Sequence, residues 1–185
     1  MEQHKIKNTL AFIGLGSNLG DCRKNLLDAW ARLGEVAGVK LLALSSPYQT
    51  EPVDMVSENW FINAAGTIAT SLEPEELLAA MHEIEASLGR KRAEESVAPL
   101  DRPLDLDLLF WGSRISDDPG LSLPHPRVDK RLFVLAPMAE IGPHHKHPVI
   151  GRTMTELLDI LRNEQGETPQ VTRTTWQDNI KEQAN

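Results

Sequence analysis

Two aspartates one residue apart, Asp105 and Asp107, stand in the run L-D-L-D-L-L. Alternation in an extended strand puts Leu104, Leu106 and Leu108 on one face and both carboxylates on the other. The two acids are then roughly 7 Å apart at Cα. That spacing lets them share or bridge hard cations such as the magnesium of phosphate chemistry. Aspartate is disfavoured in strands, so two in one short strand call for a reason; a solvated acidic edge is the plain alternative. Arg102 precedes Asp105 by three residues, and Arg90, Lys91 and Arg92 stand at the far end of the preceding charged stretch. Guanidiniums beside paired acids are the equipment of phosphate transfer. The same cations also suit a helix C-terminus without any ligand.

Other polar groups have a weaker claim. His125 sits in L-P-H-P-R-V-D-K-R with Arg127, Lys130 and Arg131, a rigid basic loop that could meet a polyphosphate or simply face water. Asn63 interrupts the apolar strand F-I-N-A-A-G, where a buried carboxamide needs partners and can offer both a donor and an acceptor to a heterocycle. Phe61 and Phe133 read as core by default. Gly14, Gly16 and Gly20 give GxGxxxG rather than a dinucleotide fingerprint and read as a structural turn. No GxxxxGK[ST] is present. His144, His145 and His147 lack acidic or cysteine company and read as ordinary loop residues.

These groups need elements to position them. LAFIGL, from Leu10, reads as a buried strand, and Leu26, Ala29, Trp30 and Leu33 recur at helical spacing up to Gly34. Strands follow at Val39 to Ser45 and at Phe61 to Thr70, separated by a Pro-containing loop. Glu73-Pro74-Glu75-Glu76 opens a helix with proline and acids at its positive end and an apolar stripe from Leu77 to Leu88. A charged loop over 90–102 leads to the aspartate strand. Beyond it come a loop to Pro126, a short helix near Lys130 to Glu140, and a helix capped by Thr153. The order strand–helix–strand–strand–helix–strand predicts an α+β, ferredoxin-like βαββαβ core, an antiparallel sheet with helices on one face. One domain over 8–163 is expected, followed by a polar, flexible tail over 164–185.

Composition agrees. Of 185 residues, 41% are hydrophobic and 25% charged, which excludes wholesale disorder. Nineteen basic against 27 acidic residues give a net charge of −8, which argues against a general nucleic-acid or membrane binder. A single cysteine, Cys22, excludes an internal disulfide, and MEQHKIKNTL lacks an apolar signal core, so a cytoplasmic protein is expected.

In the segments AFIGLGSNLGD, SSPYQTEPV, WFINAAGTIATSLEPEELL, IEASLGRKR, RPLDLDLLFWG, LSLPHPRVDKRLFVLAPMAEI and HPVIG, taken in order, the chain resembles the 6-hydroxymethyl-7,8-dihydropterin pyrophosphokinase family of folate biosynthesis. The resemblance implies transfer of a pyrophosphoryl group from Mg·ATP to the pterin hydroxymethyl, with AMP released. It assigns two Mg²⁺ ions to Asp105 and Asp107, and charge neutralisation to Arg90, Arg92 and Arg102. His82, Glu85, His125 and Arg131 are implied at the nucleotide. Thr50, Val53, Phe61, Asn63 and Phe133 are implied at the pterin, with the two rings sandwiching it. The implied partners are these two small substrates, with no nucleic acid or membrane, a monomeric state, and other folate-pathway enzymes as candidate contacts. Leu100-Asp101 stands where the family usually carries Gly-Pro or a similar small pair before the arginine. Another Mg²⁺-dependent phosphotransferase or nucleotidyltransferase, and a ferredoxin-like ligand-binding module, are the competing readings of the same residues. No residue is an obvious base for the substrate hydroxyl.

Overall fold

The computed structural model describes residues 8–53, 57–90, 100–166 and 171–177. Strand β1 (Thr9–Ser17) is central. It pairs antiparallel with β5 (Asp105–Trp111) on one side and with β4 (Phe61–Thr70) on the other. The far edge of β4 carries β2 (Val39–Leu44) and then β3 (Tyr48–Thr50), which share that long strand end to end. With α1 (Cys22–Glu35) after β1 and α2 (Pro74–Ser87) after β4, the expected βαββαβ order and its antiparallel sheet are present. A small hairpin, β6 (Ser116–Asp118) and β7 (Leu121–Leu123), follows β5. Then come α3 (Leu132–Ile141) and α4 (Met154–Gln165).

Local chemistry explains the helix starts. The Asp21 carboxylate accepts from the Lys24 backbone N–H at 3.0 Å, and Glu73 with Glu76 and Thr153 with Glu156 form reciprocal capping boxes. Gly34 is the penultimate residue of α1 rather than its stop. A Cβ there would lie 2.8 Å from Leu41 Cδ1, so the glycine lets the helix lie close on β2.

Helices cover both faces of the sheet, not one. Leu26, Leu33, Leu77 and Met81 of α1 and α2 pack on Ala11, Ile13, Leu106 and Leu108. Leu135 and Met138 of α3 and Leu157, Leu158 and Leu161 of α4 pack on Phe12, Leu109 and Phe110 behind it. The strands are apolar on both sides where they are central, which forces a second helical layer. A register shift opposite Phe12 and Ile13 leaves Leu109 as an extra residue in β5, so the period-2 pattern ends after Leu108.

The expected tail is partly built into the domain. α4 runs on to Gln165, and β8 (Val171–Arg173) pairs antiparallel with β3. The polar run V-T-R carries no amphipathic signal because the ladder that holds it is made of backbone groups.

Candidate active site

Gly14 lies opposite Asp107 and Gly16 opposite Asp105 across β1 and β5; on the other side Gly16 lies opposite Asn63. These glycines are therefore strand residues, and only Gly20, with φ of +73°, belongs to a turn that demands glycine. Their missing side chains clear a floor between the two aspartates and Asn63. A Cβ on Gly16 would stand 3.0 Å from Asn63 Oδ1.

Above that floor is a cavity of about 200 Å³. It is lined by Phe61, Asn63, Thr50 and Val53, by Phe133 and Arg131, and by Arg102, Asp105 and Asp107. Asn63 is buried and donates from Nδ2 to Thr50 Oγ1 at 2.9 Å, which fixes the orientation of its amide. The Arg102 guanidinium lies 5.5 Å from the Phe61 ring centre, and that of Arg131 lies 5.3 Å from the Phe133 ring. Arg127 and Glu51 also line this cavity. Sequence reasoning set Arg127 only in a basic loop that could meet a polyphosphate and did not single out Glu51, because a residue in an exposed-looking basic or Pro-rich loop carries no periodic signal.

A second cavity, of about 380 Å³, is lined by His82, Arg90, His125, Pro126 and the β6–β7 hairpin, and again by Asp105 and Asp107. The two aspartates thus form a wall common to an aromatic chamber and a polar one. His125 donates its backbone N–H to Leu109 O at 3.0 Å, and its Nδ1 accepts from Arg127 N at 3.2 Å. That leaves Nε2 as the protonated nitrogen of the neutral ring. Burial, then the Arg131 and Arg127 charges, hold the ring's pKa below the ordinary histidine value, so the neutral form prevails at pH 7.

Asp105 and Asp107 differ in company. Arg102 Nη2 meets Asp105 Oδ2 at 2.6 Å, and Arg90 bonds to Asp105 Oδ1. Asp107 makes no ion pair among the described residues. Burial, then the negative charge of Asp105, pushes its carboxyl up to about 6, against the pull of Arg131. A carboxylate left short of positive charge beside another is a hard-oxygen site that a dication would complete. Among the described residues no group of three or more His, Cys, Asp or Glu is placed to hold a metal.

Glu85 does not reach either cavity. It is 1% exposed, accepts from Leu106 N at 2.8 Å and binds Arg90. Its part in a nucleotide site, as expected from the resemblance, is then indirect: from the core side of α2 it holds β5 and Arg90, and Arg90 lines the polar cavity. Arg92 lies outside the described residues. The remaining expected residues, from Thr50 to Phe133, are brought together around the aspartate pair. Among the described residues no helix is long and apolar enough to cross a membrane.

The family model described as 7,8-dihydro-6-hydroxymethylpterin-pyrophosphokinase matches residues 12–143. The 2-amino-4-hydroxy-6-hydroxymethyldihydropteridine pyrophosphokinase of Bacillus subtilis is 45% identical over 134 residues, covering 72% of this chain and 78% of its own. The protein of the same name from Methylorubrum extorquens is 43% identical over 136 residues, 73% of this chain and 84% of its own. The folic acid synthesis protein fol1 of Pneumocystis carinii is 37% identical over 157 residues; the match spans 85% of this chain but only 21% of that longer protein. A crystal structure of Plasmodium falciparum HPPK-DHPS with pteroate shares the fold at a TM-score of 0.70 and 14% identity, over 91% of this chain and 47% of that one.

Proposed function

The chain belongs to the 7,8-dihydro-6-hydroxymethylpterin-pyrophosphokinase family, and from that premise we propose that it moves the terminal pyrophosphoryl group of ATP to the hydroxymethyl oxygen of 6-hydroxymethyl-7,8-dihydropterin. AMP leaves, and the product is the pterin pyrophosphate used in folate synthesis. The domain that does this runs from about residue 8 through α4 and takes in β8, and Cys22 as a free thiol is in keeping with a cytoplasmic site of action.

One observation carries the reading: Asp105 and Asp107 line both the aromatic cavity and the polar one. The reaction needs that arrangement, because its acceptor is a flat heterocycle and its donor a polyphosphate. Phe61 and Phe133 are the apolar faces available to a pterin, and Asn63 and Thr50 the polar edge. On the other side His82, His125 and Arg90 face the nucleotide, with Arg131 reaching it from the aromatic cavity. A neutral His125 donating from Nε2 suits a phosphate oxygen. Arg102 and Arg90, already held on Asp105, stand where negative charge grows as the α–β bridging oxygen departs.

Asp105 and Asp107 would hold magnesium, two ions by family resemblance, which when bound neutralises the triphosphate and draws its oxygens into line. The protein's own work is then positioning: the ring fixed in one chamber, the phosphates in the next, and water kept from the junction.

Incubating the purified chain with Mg·ATP and the pterin, and resolving products by chromatography, tests this. AMP and pterin pyrophosphate should form in equal amounts and vanish in Asp105→Ala and Asp107→Ala. ADP in place of AMP would convict a simple kinase, and no nucleotide turnover would convict a binding module.

A further inference from the structure

Asp101 stands outside both cavities, and both of its carboxylate oxygens are engaged. Asn18 donates from Nδ2 to Oδ1 at 2.6 Å, and Asn59 donates from Nδ2 to Oδ2 at 2.6 Å. Those partners lie 83 and 42 residues away in sequence, one after β1 and the other just before β4. Asn18 is itself fastened to the neighbouring residue: its Oδ1 accepts from Arg102 N at 2.8 Å, and its N–H donates to Arg102 O at 3.1 Å. Asn59 precedes Phe61 by two residues, and the Arg102 guanidinium lies over the Phe61 ring. A closed circuit of contacts results, running Asn59, Trp60, Phe61, Arg102, Asp101 and back to Asn59.

We propose that Asp101 is a positioning residue, a clasp that sets the Phe61 ring against the Arg102 guanidinium and thereby joins the pterin side of the site to the phosphate side. The chemistry favours an acid at this point. Two primary carboxamides present N–H donors from different loops, and an ionised carboxylate accepts both at once with the added strength of a charged acceptor. An amide or an aliphatic side chain there would strand at least one of them. Hydrogen bonds from Ser57, Asn59 and Asn18, with the Arg102 charge, also hold the carboxyl below the usual range, so the clasp stays charged at neutral pH. Loop 57–60 is exposed apart from the half-buried Ser57, and side-chain hydrogen bonds from Ser57 and Asn59 to Asp101 tie it to the body of the domain. Its placement, and with it the angle at which Phe61 meets a ligand, depends on this contact.

The kinetic consequence rests on the pterin reading of the cavity, whereas the structural one does not. Asp101→Ala, Asn59→Ala and the double variant, each in the full chain, separate the two. In the substrate-free protein, backbone amide exchange across 57–62 should speed up in each single variant, and the double variant should add nothing further. With substrates, KM for 6-hydroxymethyl-7,8-dihydropterin should rise about ten-fold in each, the loss of one charged hydrogen bond, while KM for ATP stays within about two-fold. Asp101→Asn, with one acceptor oxygen instead of two, should fall between. Asn59→Ala alters an exposed side chain, so it reports even where Asp101→Ala folds poorly. Unchanged exchange over 57–62, additive effects in the double variant, or a rise in the ATP constant alone would each overturn the clasp. A wild-type chain that ignores the pterin would overturn the proposed reaction instead and leave the exchange result to decide on Asp101.

Discussion

Glu85 and Asp105 hold the same guanidinium, since Arg90 bonds both carboxylates from one nitrogen, Nη1. Glu85 belongs to α2 and Asp105 to the first position of β5, so this one cation joins the helical layer to the strand that carries the acidic pair. The Leu106 N–H donates to Glu85 Oε1 at 2.8 Å and ties the same strand a second time. Arg90 remains charged in spite of its burial because Asp105 and Glu85 raise its pKa above the ordinary arginine value. A buried acid is thus what aims an arginine that lines the polar cavity.

Glu85→Ala should therefore cost both stability and turnover. It strips the Leu106 amide of its acceptor and leaves Arg90 with Asp105 alone, a loss of about 2–4 kcal/mol by analogy with broken buried pairs. Glu85→Gln keeps an oxygen for Leu106 and loses only the charge, so it should unfold nearer to wild type while still lowering kcat. Urea titrations of both variants, paired with initial rates, check this. Equal stability of Glu85→Ala and wild type would refute the bracing role.

Asp107 gives the opposite sign. Its carboxyl is pushed from an ordinary 3.8 up to about 6, first by burial and then by Asp105. Between those values the native protein keeps a proton that the unfolded chain has lost. Stability from this group therefore falls as pH rises through that window, and it is lowest above pH 6. Asp107→Asn removes the penalty and should stabilise the metal-free protein by about 1–3 kcal/mol at pH 7.5, with the gain gone by about pH 4. The same variant should lose pyrophosphoryl transfer. A variant less stable than wild type at pH 7.5 would show that Asp107 is satisfied by its surroundings and is no site for a cation.

The aspartate pair was legible because its strand alternates strictly from Leu104 to Leu108, and because strands seldom carry two acids without cause. Asn63 was legible for a like reason, as an amide in an apolar run. The bracing of Arg90 and β5 by Glu85 was not, since an acid at one position of a mixed helix looks the same whether it faces water or a buried arginine. Gly14 and Gly16 misled as a turn because glycine marks both turns and close approach, and only the pairing with Asp107 and Asp105 tells them apart. The second helical layer was missed for want of periodicity. α3 is apolar almost all round, with Pro137 inside it, and shows no stripe to orient.

That reading of Gly16 can be tested directly. Gly16→Ala places a methyl 3.0 Å from Asn63 Oδ1, so the Asn63 amide must shift away from Thr50 or the strands must part. The side chain is the softer of the two. KM for the pterin should rise several-fold with little change in KM for ATP or in melting temperature. A matched rise in both constants would place the strain in β1 itself rather than at the amide.

The last prediction concerns the segment after α4. β8 continues the sheet beyond β3, with Thr50 opposite Val171 and Tyr48 opposite Arg173. Around it the Trp176 indole donates to Ser45 O at 3.0 Å, Thr174 N donates to Pro47 O at 2.8 Å, and Arg173 meets Glu140 at 3.3 Å. Glu140 also accepts from the Tyr48 hydroxyl at 2.8 Å, and burial together with that acid pushes the Tyr48 pKa up to about 12. These contacts tie down β3, the strand that presents Thr50 to Asn63, and the chain just before it, and none of their residues lines the polar cavity. Truncation after Gly166 should then lower stability by about 2–4 kcal/mol, from lost hydrogen bonds and the uncovered Trp176 site. It should also weaken pterin binding, because Thr50 sits on a strand that has become an edge. The constant for ATP and the identity of the nucleotide product should not move. Differential scanning calorimetry and steady-state kinetics on the truncated chain separate the outcomes: a fall in ATP affinity would mean that β8 braces the nucleotide side, and an unchanged melting temperature would mean that it braces nothing.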